Sequence, residues 1–148
     1  MINLMLQGRQ PIIYGDGEQT RCFSYVTDCV APLVKMLDAD NVNGEVISIG
    51  PDEETVTINQ LYRLLQNILD FSGEPIYMPD CPQEVKEATC SADKARSLLD
   101  YQINVNLETG LRTMIDHIAL IGPRMFTYHL DLEIINDLTP ATWRERIF

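Results

Sequence analysis

The chain has 148 residues, 45% of them hydrophobic and 22% charged. That is enough for one compact domain with a core and too little for two large ones. Eleven Lys and Arg stand against 22 Asp and Glu, a net charge of -11. This balance disfavours binding to nucleic acid or to an anionic membrane surface. A small anionic ligand is admitted only where a local Arg or Lys outweighs the surrounding field.

No apolar run approaches the roughly 20 residues that span a bilayer. The first residues, MINLMLQGRQ, lack the basic start, apolar stretch and small-residue site of a signal peptide. Cys22, Cys29, Cys81 and Cys90 form no CxxC pair. Reduced thiols in a cytoplasmic protein are therefore expected.

In chain order, residues 2–7 read as the end of a helix, with Ile2, Leu4, Met5 and Leu6 apolar and no room for a cap before them. The chain thus reads as starting inside a longer fold. Gly8 ends that helix. Pro11 to Tyr14 is a short β-rich run, Gly15-Asp16-Gly17 a turn, and Arg21 to Val26 the return segment. Asp28 is the expected N-cap of a helix to about Asp38, with Pro32 in or near its first turn. Residues 38–54 hold six acidic and no basic side chains and read as solvated loop, with a strand candidate at Val46–Ile49.

Thr57 and Gln60 make a capping box, and Ile58, Leu61, Leu64, Leu65, Ile68 and Leu69 follow helical spacing after it. Pro75–Met78 is a second short strand. Ser91 is the expected cap of a helix through Leu99. Asn106 is the expected cap of another, with Leu107, Leu111, Ile115 and Ile118 on its buried face. Phe126, Tyr128, Leu130, Leu132 and Ile134 alternate with polar residues, the pattern of an extended segment laying one face on a core. Thr139 as cap and Pro140 at the first position open a last short helix. The order of elements gives an α/β class. It divides into a lobe over 1–122 and an extended tail with a short terminal helix over 123–148.

Few constellations carry chemistry. A dinucleotide loop needs a third glycine three residues after Gly17, where Thr20 stands, and no long helix opens there. A tyrosine activated by a lysine four residues on is absent, since Tyr14, Tyr25, Tyr62, Tyr77, Tyr101 and Tyr128 are followed at that spacing by Glu18, Cys29, Gln66, Cys81, Val105 and Leu132. The cysteines lack metal-ligand spacing, and His117 and His129 fall on polar faces. Arg21 leaves a tight turn in an acidic protein, and its planar fork suits a diphosphate. An ion pair with Asp16, Glu18 or Asp28 is the plainer alternative.

The segment GRQPIIYGDGEQTRCFSYVTDCVAPLV over 8–34 resembles the extended short-chain dehydrogenase/reductases that act on nucleotide sugars. The likeness continues through VNGEVISIGPDEETVTINQL and EVKEATCSADKARSLLDYQINVNLETGLRTMI, and TPATWRERIF is similar to the ends of some bacterial members. This implies the small C-terminal substrate-binding lobe of a protein about twice as long. The first lobe of such proteins is a Rossmann fold that holds NAD and carries a Tyr-x-x-x-Lys pair. NAD is then the cofactor of the intact enzyme, and none is expected on this chain alone, which is expected to be inactive in isolation. The implied partner is a UDP-sugar.

By the same resemblance, Arg21 matches the arginine on the substrate diphosphate. Pro11, Ile12, Ile13 and Tyr14 match the strand beside the base and ribose, with packing under the turn as the alternative for Tyr14. Cys81 stands where the family commonly has a second arginine, and Lys86 is the nearby substitute, although a point charge is not a bidentate fork. The implied reaction is oxidation of the sugar at C4, a change on the ketone, and re-reduction. UDP-sugar 4-epimerase ranks first and UDP-glucuronate decarboxylase close behind. The alternative is a non-catalytic nucleotide-sugar-binding or interaction module. Self-association is expected through the surface that a Rossmann lobe would cover, with Ile2, Leu4, Met5 and Leu6 belonging to it.

Overall fold

A computed structural model of the chain describes residues 1–127 and 131–147. Helix α1 (Ile2–Leu6) leads into strand β1 (Ile12–Tyr14), a glycine turn and strand β2 (Thr20–Arg21). Helix α2 (Val26–Lys35), strand β3 (Val56–Thr57) and helix α3 (Ile58–Leu69) follow. Strands β4 (Ile76–Met78) and β5 (Glu87–Ala88) precede helices α4 (Asp93–Leu99), α5 (Leu107–Ile121) and α6 (Ala141–Arg144).

The turn at 15–17 does not make a hairpin. β1 pairs in parallel with β4, with Ile12 opposite Ile76 and Tyr14 opposite Met78. β2 joins a second sheet, antiparallel to β3 and parallel to β5. The expected return segment over 21–26 is strand only as far as Arg21. With Gly15 and Gly17 at φ 66° and 75°, the turn carries the chain from one sheet to the other.

The main core gathers Ile2, Met5, Ile13, Tyr62, Leu65, Leu111 and Ile115 from α1, β1, α3 and α5. The α3 periodicity holds: Ile58, Leu61, Leu64, Ile68 and Leu69 pack against this cluster. Its capping box forms as read, with Thr57 Oγ1 accepting from Gln60 N–H at 3.1 Å and Gln60 Oε1 accepting from Thr57 N–H at 2.7 Å. Asn106 Oδ1 likewise caps α5 through Thr109 N–H at 2.9 Å. A second cluster, Ala92, Ala95 and Tyr101, is covered by Ile47 and Ile49.

Several expectations are corrected. Asp28 is not the N-cap of α2. That position is Tyr25, and Asp28 lies buried within the helix. Its carboxylate accepts from the backbone N–H of Asn104 and Val105, both at 3.0 Å, so it ties α2 to the segment before α5. Val46–Ile49 forms no strand: the alternation is right, for Ile47 and Ile49 face the second cluster, but no neighbouring strand pairs with it. The N-cap of α4 is Ala92 and not Ser91, although Ser91 Oγ still accepts from Asp93 N–H at 3.3 Å. The last helix begins one residue later than read, with Pro140 as N-cap and Thr139 outside it.

The N-terminal helix is not an exposed patch. Ile2 and Met5 are buried and Leu6 packs on the same core. In the tail, Tyr128, His129 and Leu130 lie outside the described residues. Phe126 and Ile134, at the ends of the alternating run, are 51% and 74% exposed, so the expected core-facing stripe is not formed there. The tail is fastened elsewhere. Asn3 accepts from Arg124 N–H at 2.9 Å, and Tyr14 bonds Thr142.

Candidate functional site

The β2–β5 pairing decides the site. It sets Arg21 opposite Ala88 and brings residues 80–88 beside the glycine turn, with Thr20 N–H donating to Lys86 O at 2.8 Å. Gln19 and Arg21 are two residues apart on an extended backbone, so their side chains leave on the same side. Glu84 meets both. Arg21 Nη2 donates to Glu84 Oε1 at 2.9 Å and Gln19 Nε2 donates to the same oxygen at 3.3 Å.

Gln19 also donates to the Tyr14 carbonyl at 3.0 Å. Two acceptors on one side fix the orientation of its amide. Its Oε1 is buried with no hydrogen-bond partner among the described residues. Gln19 is thus a buried link between the end of β1 and the partner of Arg21.

Arg21 itself is 26% exposed. Nη1 donates to Thr20 O at 2.8 Å, which with the Glu84 bond holds the fork in one plane. The remaining N–H groups of its five make no hydrogen bond to the described residues. The alternative pairings with Asp16, Glu18 and Asp28 do not form; Glu84 takes their place.

Pro11 and Ile13 are buried, and Ile12 and Tyr14 half-buried. The side chains of Pro11 and Ile13 are core, so this strand can offer only backbone and the faces of Ile12 and Tyr14. The Tyr14 hydroxyl is occupied by Thr142, at 2.6 Å from Oγ1 and accepting from its N–H at 3.0 Å. Lys86 is exposed and lies 3.6 Å from Asp80. Cys81 is half-buried, and burial, then the nearby Glu84 carboxylate, pushes its thiol pKa up. A neutral thiol gives no charge for an anion.

Arg21, Lys86, Tyr14 and the β1 backbone therefore gather around one turn. Sequence reasoning missed Gln19, Glu84 and Thr142. The period of two linking Gln19 to Arg21 was available as a signal for the first. For Glu84 and Thr142 only long-range packing supplies the pairing.

The described residues do not fit a dinucleotide. Gly15 and Gly17 lead into a two-residue strand and not a helix N-terminus. A Cβ on either would run into Asp80 or Asn59 rather than into open space. No group of His, Cys, Asp and Glu among the described residues could hold a metal ion, and none of the described helices is long and apolar enough to cross a membrane.

A profile of the GDP-mannose 4,6 dehydratase family matches residues 1–114. The chain belongs to that family. Its relatives include a UDP-N-acetyl-alpha-D-glucosaminuronate decarboxylase of Bacillus cytotoxicus, 34% identical over 77% of this chain and 37% of its own length. A putative UDP-glucose 4-epimerase of Methanocaldococcus jannaschii is 33% identical over 78% of this chain and 36% of its own. Among solved structures, the UDP-glucuronic acid 4-epimerase of Bacillus cereus, in complex with UDP-glucuronic acid and NAD, matches with a TM-score of 0.77 and 34% identity. That match covers 82% of this chain and 38% of that one.

The chain therefore spans well under half the length of these family members, and it matches their C-terminal part. The α/β reading as the small lobe of an extended short-chain dehydrogenase/reductase holds.

Proposed function

We propose that this chain forms the nucleotide-sugar side of an NAD-dependent epimerase or decarboxylase, with Arg21 as the ligand of the substrate diphosphate. One observation carries the reading. The Arg21 guanidinium is held in place by Glu84 and the Thr20 carbonyl at the mouth of the turn, yet keeps N–H groups that make no hydrogen bond to the described residues. A pre-oriented arginine fork matches phosphate oxygens bidentately. The β1 backbone and the exposed part of Tyr14 would lie beside the base and ribose, and Lys86 would add a second positive charge at a longer reach.

The similar proteins that carry UDP-sugar names support the substrate class. Both epimerases and decarboxylases are among them. We rank UDP-sugar 4-epimerase first and UDP-glucuronate decarboxylase second. We assign NAD to the intact enzyme, a reading supported by the Bacillus cereus epimerase solved with NAD.

Calorimetric titration of the chain with UDP, beside its Arg21→Ala variant, tests the assignment. Loss of a charge-assisted contact worth about 1.5–3 kcal/mol weakens UDP binding by roughly 10- to 100-fold. Equal binding by both chains would remove Arg21 from the site.

A further inference from the structure

The glycine turn that leads to Arg21 is fastened by the first turn of α3. The opening N–H groups of a helix have no partner within it. Here they are spent on the turn. Ile58 N–H donates to Gln19 O at 3.2 Å and Asn59 N–H to Gly17 O at 3.0 Å, while the capping box takes Gln60 N–H.

The Asn59 side chain completes the grip. Its Nδ2 donates to Asp16 O at 2.8 Å and to Glu18 Oε1 at 2.6 Å. Its Oδ1 accepts from the Tyr77 hydroxyl at 2.9 Å. Both amide hydrogens and the carbonyl are thus engaged, and a flipped amide would set its oxygen against a carbonyl and a carboxylate. The fit is close: a Cβ on Gly17, at φ 75°, would stand 2.2 Å from Asn59 Oδ1. Only glycine lets the turn lie this near to the amide.

Asp16, Gly17, Glu18 and Gln19 each give one oxygen to Ile58 or Asn59. The grip passes to Arg21 along the backbone. Thr20 stands opposite Thr57 and Arg21 opposite Val56 on β3, which runs directly into α3. A shift of the turn therefore moves the base of the Arg21 side chain. Bidentate contact with phosphate oxygens depends on the placement of the guanidinium plane, so such a shift is felt at the fork.

We propose that Asn59 is a positioning residue of the nucleotide-sugar site: it locks the glycine turn and so places the Arg21 fork, without touching the ligand itself. The inference rests on the assignment of Arg21 to the substrate diphosphate.

Calorimetry with UDP and with uridine tests it on the wild type, Asn59→Ala, Tyr77→Phe and Arg21→Ala. The readout is the preference for UDP over uridine, which a general loss of stability does not move. Asn59→Ala is expected to lower that preference roughly 3- to 10-fold, with uridine affinity unchanged. Tyr77→Phe keeps the ring and both turn-facing donors and removes only the bond that orients the amide, so its loss is smaller. It also carries the test if Asn59→Ala fails to fold. If Arg21→Ala loses the preference while Asn59→Ala and Tyr77→Phe keep it, the positioning role is overturned and the diphosphate assignment stands. If Arg21→Ala keeps the preference, the diphosphate assignment itself fails and takes this inference with it. Equal weakening of UDP and uridine by Asn59→Ala would mark a structural contact only, and also overturns it.

Discussion

The Tyr14 hydroxyl and the Thr142 side chain meet at 2.6 Å across 128 residues of sequence. The contact fastens the final helix to the strand that carries the candidate site. Thr142 is 1% exposed, so its polar atoms are out of reach of water. Tyr14→Phe keeps the ring and removes both bonds. It is expected to cost about 1–3 kcal/mol at the docked tail, seen as faster amide exchange over residues 141–147. Unchanged exchange there would mean that the tail is held by other contacts.

Asp28 ties two elements chiefly through the backbone N–H groups of Asn104 and Val105, at 3.0 Å each, with the Asn104 side-chain amide at 3.5 Å beside them. Asp28→Ala leaves the N–H groups of Asn104 and Val105 without their acceptor in a half-buried place. The loss is about 1–3 kcal/mol of unfolding free energy, and Asp28→Asn, which keeps one acceptor oxygen, loses less. Urea melts of the three proteins check the order. Equal midpoints would show that the buried carboxylate is not structural.

Arg96 beside Asp52, with the Ala92 N–H, lowers the Asp52 carboxyl to about 2 from its ordinary 3.8. A carboxylate depressed in the folded state contributes stability above its unfolded value, and that contribution is lost as pH falls from about 3.8 through about 2. Asp52→Asn therefore flattens the acid limb of the stability profile in that window. Titration of the Asp52 carboxyl by NMR checks the premise; an ordinary midpoint would contradict it.

Local signals and long-range ones separated cleanly in this chain. The capping box at Thr57, the cap at Asn106 and the helical spacing of α3 are properties of neighbouring residues, and they stand in the structure as read. The Asp28 cap failed because burial and two distant N–H groups outweighed a local preference, which no window of sequence contains. The Val46–Ile49 segment has the alternation of a strand, but a strand also needs a partner, and none pairs with it.

The site divides the same way. Arg21 stood out by its chemistry after a tight turn, whereas its anchor Glu84 lies 63 residues away and arrives only through the β2–β5 pairing.

The most direct test of the account compares UDP with uridine by calorimetry, on the chain and on Arg21→Ala. If Arg21 grips the diphosphate, the chain prefers UDP to uridine by roughly 10- to 100-fold, and the variant loses that preference while binding uridine as before. A chain that binds the two equally, or a variant that keeps the preference, would contradict it.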